Sequence, residues 1–467
     1  MSSEDRGALR PLLLLASLFF LWGFLTSMND ILIPYLKGRF ELSYFQAMLV
    51  QFAFFGAYFV GSLIYFAISV RWSDPIARIG YQRGAVGGLL ISGLGALGFL
   101  PAASLQSFPL FLTALFVLGL GFTLLQISAN PYVTVLGPER TASARLNLCQ
   151  GFNSLGTTLG PLIGGALILS GSAMRGLEDD PERVRGPYGV FAGVLLALAV
   201  VFSFLRLPRI ESEEAQGSAA ALRHPNLVRG IVAIFCYVGA EVAVGSILIN
   251  FLALDEIAGL DEERGSAFVA VYWGGLMIGR FLGALLLSSA HQSRKVAGLV
   301  LLPVLGFLFL AFSVAKGRDL AFGDTVTMLA PYGWLLAGSL LAFVLGASRP
   351  GRTTGVFALC AAALLAVPIL RSGELAMWAV IGVGLFNSIL WSNIFSLSIE
   401  GLGRHKSQGS SLLVMAIVGG ALLPPAQGWV ADTVGVRPSF LVPLVAYLYL
   451  AWFGFRGHRA RLSEPIP

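Results

Sequence analysis

Fourteen apolar runs of roughly 20 residues follow one another along this chain, the length a helix needs to cross about 30 Å of hydrocarbon. Six lie near 12–36, 46–70, 84–101, 108–130, 146–170 and 188–206. After a polar segment come eight more, near 230–252, 266–288, 296–314, 332–347, 354–370, 375–399, 411–431 and 438–455. Only 12% of the residues are charged, against about 25% in soluble domains. Inside a bilayer each backbone N–H and C=O must be satisfied within the protein, so such runs become helices. The chain is therefore expected to be an all-α polytopic membrane protein. The first run is too long for the apolar core of a signal peptide and lacks a small-residue cleavage site, so it is expected to stay as a span.

The placement of charge orients these spans. With the amino terminus inside, 20 of the 31 Lys and Arg fall in cytoplasmic segments and ten on the opposite side, with Arg280 alone inside a span. The positive-inside rule then puts both termini in the cytoplasm. A net charge of +6 would suggest an anionic partner for a soluble protein, but here the loops account for it and no nucleic acid is expected to bind. Cys149, Cys236 and Cys360 are isolated within predicted helices and suggest neither a metal site nor a disulfide framework. The sequence holds no Walker loop, zinc pattern or serine nucleophile elbow. ATP-driven transport and enzymatic activity therefore have no local support, and no cofactor is implied.

The chain divides into two halves. Arg206 to Arg229 is polar, with Glu211, Glu213, Glu214 and a Gly-Ser-Ala-Ala run, and reads as a flexible linker. This predicts a six-helix bundle over 1–206, a linker over 207–229 and a second bundle over 230–467. Corresponding residues of parallel repeats should recur at a fixed offset. Gly23 matches Gly239 and Gly61 matches Gly279, at offsets of 216 and 218, whereas Gly119, Gly121 and Asn130 match Gly382, Gly384 and Asn393 at 263. The jump is the size of one helical hairpin, expected at about 296–347.

Several polar residues then need explaining. Asp30 interrupts the first apolar run within Ser27-Met28-Asn29-Asp30, before the run resumes at Ile31. A carboxylate near a helix centre costs roughly 2.5–3.5 kcal/mol on insertion scales, and such residues mark ion pathways and proton relays. The alternative is a position near the outer interface, capping a helix end. Glu241 supplies a second carboxylate from the other half, near the same level, so the two are candidate ion-coupling residues. Alternatively Glu241 pairs with Arg280 as a structural ion pair.

Amides form a second set. Gln126 and Asn130 share one helix face, being four residues apart, and Asn147, Gln150, Asn153 or Ser154, and Thr157 form a stripe with helical spacing. Asn387, Trp391 and Asn393 lie together in the 375–399 run. Amides that donate and accept, beside an aromatic plate, suit a polyhydroxylated ligand. Hydrogen bonding between helices is the alternative use.

The segments Phe20-Leu-Trp22-Gly23, Asn29-Asp30-Ile-Leu, Ser128-Ala-Asn130-Pro131-Tyr and Arg145-Leu-Asn147-Leu-Cys-Gln150-Gly-Phe-Asn153-Ser154 carry a specific pattern. So do Tyr237-Val-Gly239-Ala-Glu241, Tyr272-Trp-Gly-Gly275, Gly384-Leu-Phe-Asn387-Ser388 and Ser407-Gln-Gly409-Ser410. At these residues the chain resembles the fucose:galactose:proton symporter family of the major facilitator superfamily, over nearly its whole length. The resemblance implies two six-helix bundles working by alternating access, and secondary active uptake of a hexose across a bacterial inner membrane by a monomer. It places Asp30 at the coupling aspartate of the fucose branch and Trp22, Gln150 and Asn153 at its sugar-pocket positions. Gln126 stands where that branch has a second glutamate, and Glu241 where it has glutamine. This exchange and the extra hairpin resemble the glucose/galactose branch. Glutamine cannot titrate, so the coupling ion is left as Na+ or H+, the former a hard cation that oxygen ligands suit. An N-acetylglucosamine or fucose symporter, and a membrane sugar sensor that does not transport, are the rival expectations.

Overall fold

The structure, a computed structural model, describes residues 3–42, 44–164, 182–205, 220–260, 262–317 and 320–459. Among the described residues every regular element is helical. The first half comprises α1 (Ser3–Arg39), α2 (Tyr44–Arg71), α3 (Tyr81–Ser104), α4 (Phe108–Val135), α5 (Ala142–Gly164) and α6 (Glu182–Phe204). The second comprises α7 (Pro225–Leu252), α8 (Glu262–Leu286), α9 (Gln292–Gly317), α10, α11 (Pro350–Leu370), α12 (Gly373–Ile399), α13 (Lys406–Val434) and α14 (Val436–Phe455). Here α10 is a pair, Phe322–Met328 and Tyr332–Gly346, bent by 59°.

Twelve of the described helices are long and apolar enough to cross a membrane, or 13 if the bent pair counts as one span. The sequence gives one more, and the difference is α5. Its described part, Ala142–Gly164, carries a stripe of amides, hydroxyls and Arg145 and stops short of 165–170, the end of the run, which lies outside the described residues. A helix shielded from lipid by its neighbours tolerates such a stripe. The second half also begins sooner than expected, since α7 starts at Pro225, within the stretch read as linker. Residues 206–219 of that linker, and the side chain of Asp30 on α1, lie outside the described residues.

The halves pack in matching ways. In the first, α1 lies on α5, α4 on α3 and α2, and α3 on α6. In the second, α7 lies on α13, α12 on α11 and α8, and α11 on α14. These are the same four pairings once α9 and α10 are set aside. That extra pair sits at the edge, α9 against α8 and α10 against α11 and α12. Close approach relies on small residues, as is usual between membrane helices. At Gly23 of α1, a Cβ would strike the backbone of Asn153 on α5.

Two local devices fix the ends and breaks. Arg145 of α5 turns back on the carboxyl end of α4, where Nε donates to the Val133 carbonyl at 2.9 Å and Nη2 to the Thr134 carbonyl at 2.5 Å. A cation that satisfies terminal carbonyls stabilises a helix end. It thereby fixes the 136–141 turn. In α12 the helix breaks between Asn387 and Leu390, which leaves the Ser388 carbonyl to accept from Arg280 Nε at 3.0 Å.

Candidate functional site

The polar groups of the first half gather around one aromatic pair. Trp22 and Thr26 are one turn apart on α1, both half-buried. Trp22 Nε1 donates to the Tyr58 hydroxyl of α2 at 3.2 Å, and Thr26 and Gln126 side chains lie against that same hydroxyl. Gln126 is 1% exposed and its Oε1 has no partner. One turn further along α4, Asn130 is fully buried with neither amide atom bonded, and Asn29 of α1 is in the same state. Leaving a buried polar group unsatisfied costs about 1–3 kcal/mol. Three such side chains in one bundle are a concentration of unmet hydrogen-bonding capacity.

On α5 the stripe divides by direction. Asn153 Nδ2 donates to the Phe19 carbonyl at 3.0 Å and so holds α5 to α1. Asn147 Nδ2 donates to the Ser143 carbonyl at 2.8 Å and reaches Asn393 Oδ1 of the second half at 3.4 Å. The Gln150 carbonyl accepts from Arg280 Nη1 at 3.4 Å, and Ser154 Oγ from the same nitrogen at 2.5 Å.

One cluster of the second half is fully connected, although Tyr332 and Ser392 nearby keep unpartnered hydroxyls. Tyr237 donates to Glu241 Oε1 at 2.5 Å, and Tyr272 to the Glu241 carbonyl at 3.0 Å. Asn387 Nδ2 donates to the Tyr272 hydroxyl at 3.0 Å, while its Oδ1 accepts from Tyr447 at 2.5 Å. The chain of bonds joins α7, α8, α12 and α14 and occupies both ends of the Asn387 amide. Asn393 is likewise engaged, donating to the Pro350 carbonyl at 3.4 Å. Trp391 stacks on Phe395, centroids 4.9 Å apart and planes 10° from parallel, and is 6% exposed. The ion pair between Glu241 and Arg280 is not formed. Arg280 bonds to the Ser388 carbonyl, Gln150 and Ser154, and Glu241 to Tyr237, because the helix break and α5 present acceptors closer to the guanidinium.

The halves touch mainly at one end. Ser143 and Ser396 hydroxyls are 2.6 Å apart, Gln408 donates to Ser69 at 3.3 Å, Ser407 to Tyr81 at 3.4 Å, and Lys406 pairs with Glu139 at 3.7 Å. These contacts, with those of Asn147 and Arg280, join the halves at this end and at the Arg280 level. The loops 72–80, 136–141 and 400–405 mark the sealed end.

Tyr58 and Tyr447 escape notice in the sequence, and Asn29 stands out there only as the neighbour of Asp30. A usable signal exists: tyrosines in membrane helices concentrate at the interfaces, so one in mid-run, as in Gly56-Ala-Tyr58-Phe, points to a buried hydroxyl with a polar task.

Known proteins carry the same architecture. The family model of the Major Facilitator Superfamily matches residues 15–366. A glucose/galactose transporter of Brucella abortus is 41% identical over 452 residues, 96% of this chain and 93% of its own length. The L-fucose-proton symporter of Escherichia coli is 31% identical over 485 residues, 98% of this chain and 96% of its own. Crystal structures of the fucose:proton symporter, one in the outward conformation, superpose with a TM-score of 0.73 at 28% identity, covering 96% of this chain and 98% of theirs. With matching helix pairings in its two halves and relatives of this kind over its full length, the chain belongs to the major facilitator superfamily, in the group that holds the glucose/galactose transporters and L-fucose-proton symporters.

Proposed function

We propose that this protein is a cation-coupled symporter that takes up a hexose such as glucose or galactose across a bacterial inner membrane. The observation that carries this reading is the unmet hydrogen-bonding capacity of the first half, both amide atoms of Asn29 and Asn130 and Oε1 of Gln126, in the bundle where the half-buried Trp22 indole donates to the Tyr58 hydroxyl. A ligand dense in hydroxyls supplies donors and acceptors to such amides, and its apolar face stacks on an indole. The name glucose/galactose transporter, borne by a relative at 41% identity, supports the same class of ligand. Gln150 and Asn153 extend the sugar site on α5, while Asn387, Trp391 and Asn393 shape its opposite wall.

Residues 1–206 and 230–467 act as two bundles that rock about this site, with the hairpin at about 296–347 carried on the second. With both termini in the cytoplasm, the sealed end is the cytoplasmic one and the cleft opens outward. Asp30 and Glu241, one from each half, are the ion-coupling carboxylates. Cation binding stabilises one orientation of the halves over the other, which links the ion gradient to sugar movement.

The test is uptake of labelled glucose into proteoliposomes, with sodium and proton gradients imposed separately. Accumulation under one gradient alone supports the reading and identifies the ion. Binding without accumulation under either gradient overturns transport in favour of a sugar sensor. No interaction with glucose or galactose, but uptake of L-fucose or N-acetylglucosamine, keeps the symporter and moves the substrate.

A further inference from the structure

Arg280 is a buried cation with no carboxylate paired to it, 6% exposed at the level of the sugar site. Glu241 acts on it through space without a direct ion pair, and a buried charge without a contacting counter-ion is costly, so what it does bond to is informative. Its guanidinium straddles the two halves. Nε is anchored in its own half on the carbonyl exposed by the α12 break, Ser388, at 3.0 Å. Nη1 crosses to α5, to Ser154 Oγ at 2.5 Å and the Gln150 carbonyl at 3.4 Å. Packing reinforces the crossing, because the Phe152 and Phe281 rings meet edge to face with centroids 5.7 Å apart.

Resting on the reading of α5 as a wall of the sugar site, we propose that Arg280 is a positioning residue: it locks α5, with Gln150 and Asn153, to the second half in the sealed state, so that closure at one end and the geometry of the sugar site are set by one guanidinium. Both acceptors on α5 are neutral, and neither can follow Arg280 if the halves rotate apart. The bonds are therefore made in this state and lost when the sealed end opens. Charge-assisted bonds of this kind shift an equilibrium by roughly tenfold or more. The fork geometry matters as well, since one planar group serves Ser388 and Ser154 at once, which a lysine ammonium on a flexible stem does not reproduce.

The experiment reads closure directly. Cys149, Cys236 and Cys360 are replaced by alanine and a single reporter, Ser143→Cys, is placed at the sealed end, where maleimide labelling in the absence of sugar measures opening. Ser154→Ala and Arg280→Lys are each compared with this parent. Both variants are expected to label several-fold faster, and both to bind glucose more weakly in the same preparations. Ser154→Ala deletes a single oxygen and retains the fold, so it decides the question even if the Arg280 variant fails to assemble. Labelling no faster than the parent in Ser154→Ala overturns the proposal. Faster labelling with no glucose binding in any form, the parent included, leaves the latch standing and overturns the sugar reading instead.

Discussion

The two halves of this molecule share a packing plan, and one cluster of buried polar side chains in each is partnered differently. In the second half, Tyr237, Glu241, Tyr272, Asn387 and Tyr447 form one chain of hydrogen bonds across four helices. In the first, Asn29 and Asn130 are just as buried and lack partners, and Gln126 keeps an unpartnered Oε1. A polar network whose members are satisfied rigidifies a bundle, whereas unmet amides cost stability and persist where something else completes them. On the proposed reading, the connected cluster braces the second-half wall of the site and the unmet amides of the first half meet the ligand.

The largest expected effect tests the carboxylates. Asp30→Asn should abolish sugar accumulation against a gradient, by about 100-fold or more if roughly 3 kcal/mol of coupling is lost, while exchange of bound sugar persists. Unchanged uphill uptake would make Asp30 a structural residue. Glu241→Gln should fold, because the amide oxygen still accepts from Tyr237 and no ion pair with Arg280 is broken. Loss of coupling in folded protein is the expected result, and loss of folded protein would restore a structural role for Glu241.

Next in size is the scaffold itself. Asn387→Ala leaves the Tyr272 and Tyr447 hydroxyls short of a buried partner, at about 1–3 kcal/mol for each orphaned group. Thermal unfolding in detergent should fall by several degrees. Gln126→Ala is the counterpart in the first half: its Oε1 has no protein bond to lose and only the contact with the Tyr58 hydroxyl goes, so the melting temperature should fall less than in Asn387→Ala. Glucose affinity should instead weaken by about tenfold, the equivalent of one hydrogen bond near 1.4 kcal/mol. If Gln126→Ala destabilised the protein and left affinity alone, the contrast between the halves would be broken.

The smallest effect concerns the sealed end. Asp74 lies outside the spans at the start of the short helix Pro75–Ile79, accepting from Tyr65 at 2.5 Å and from the Ile76 amide at 2.9 Å. Burial raises its pKa above the ordinary carboxylate value, partly offset by these bonds. A raised carboxyl contributes stability that is fully present below the ordinary value and lost as pH rises through the raised one. Asp74→Asn keeps the cap, since Asn serves as well at that position, and should flatten this part of the stability profile. An unaltered profile would place the titration elsewhere, with Glu400 the next candidate, as burial and neighbouring Glu139 raise it too.

Much of the fold was legible before any coordinates. All fourteen runs correspond to helices, and the offset jump between Gly279 and Gly382 marks where α9 and α10 enter. The 146–170 run became α5, whose described part, Ala142–Gly164, carries the polar stripe that its helical spacing also revealed. The site was legible as a set of residue types and much less so as a set of roles. Asn130 and Asn393 occupy equivalent repeat positions and look alike in sequence, yet one has no partner and the other bonds to Asn147 and Pro350.

What the sequence determined alone was the order of the helices, their repeat and the place of the insertion, because run length and spacing are properties of neighbouring residues. What only tertiary structure decided was which polar groups are already spent. Asn147 and Asn393 are 246 residues apart, and Asn387 and Tyr272 are 115 apart. A side chain's capacity to bond is written in its own chemistry, but its partner is set by how helices rotate and pack. The same packing turned Arg280 away from Glu241 and across to Ser154.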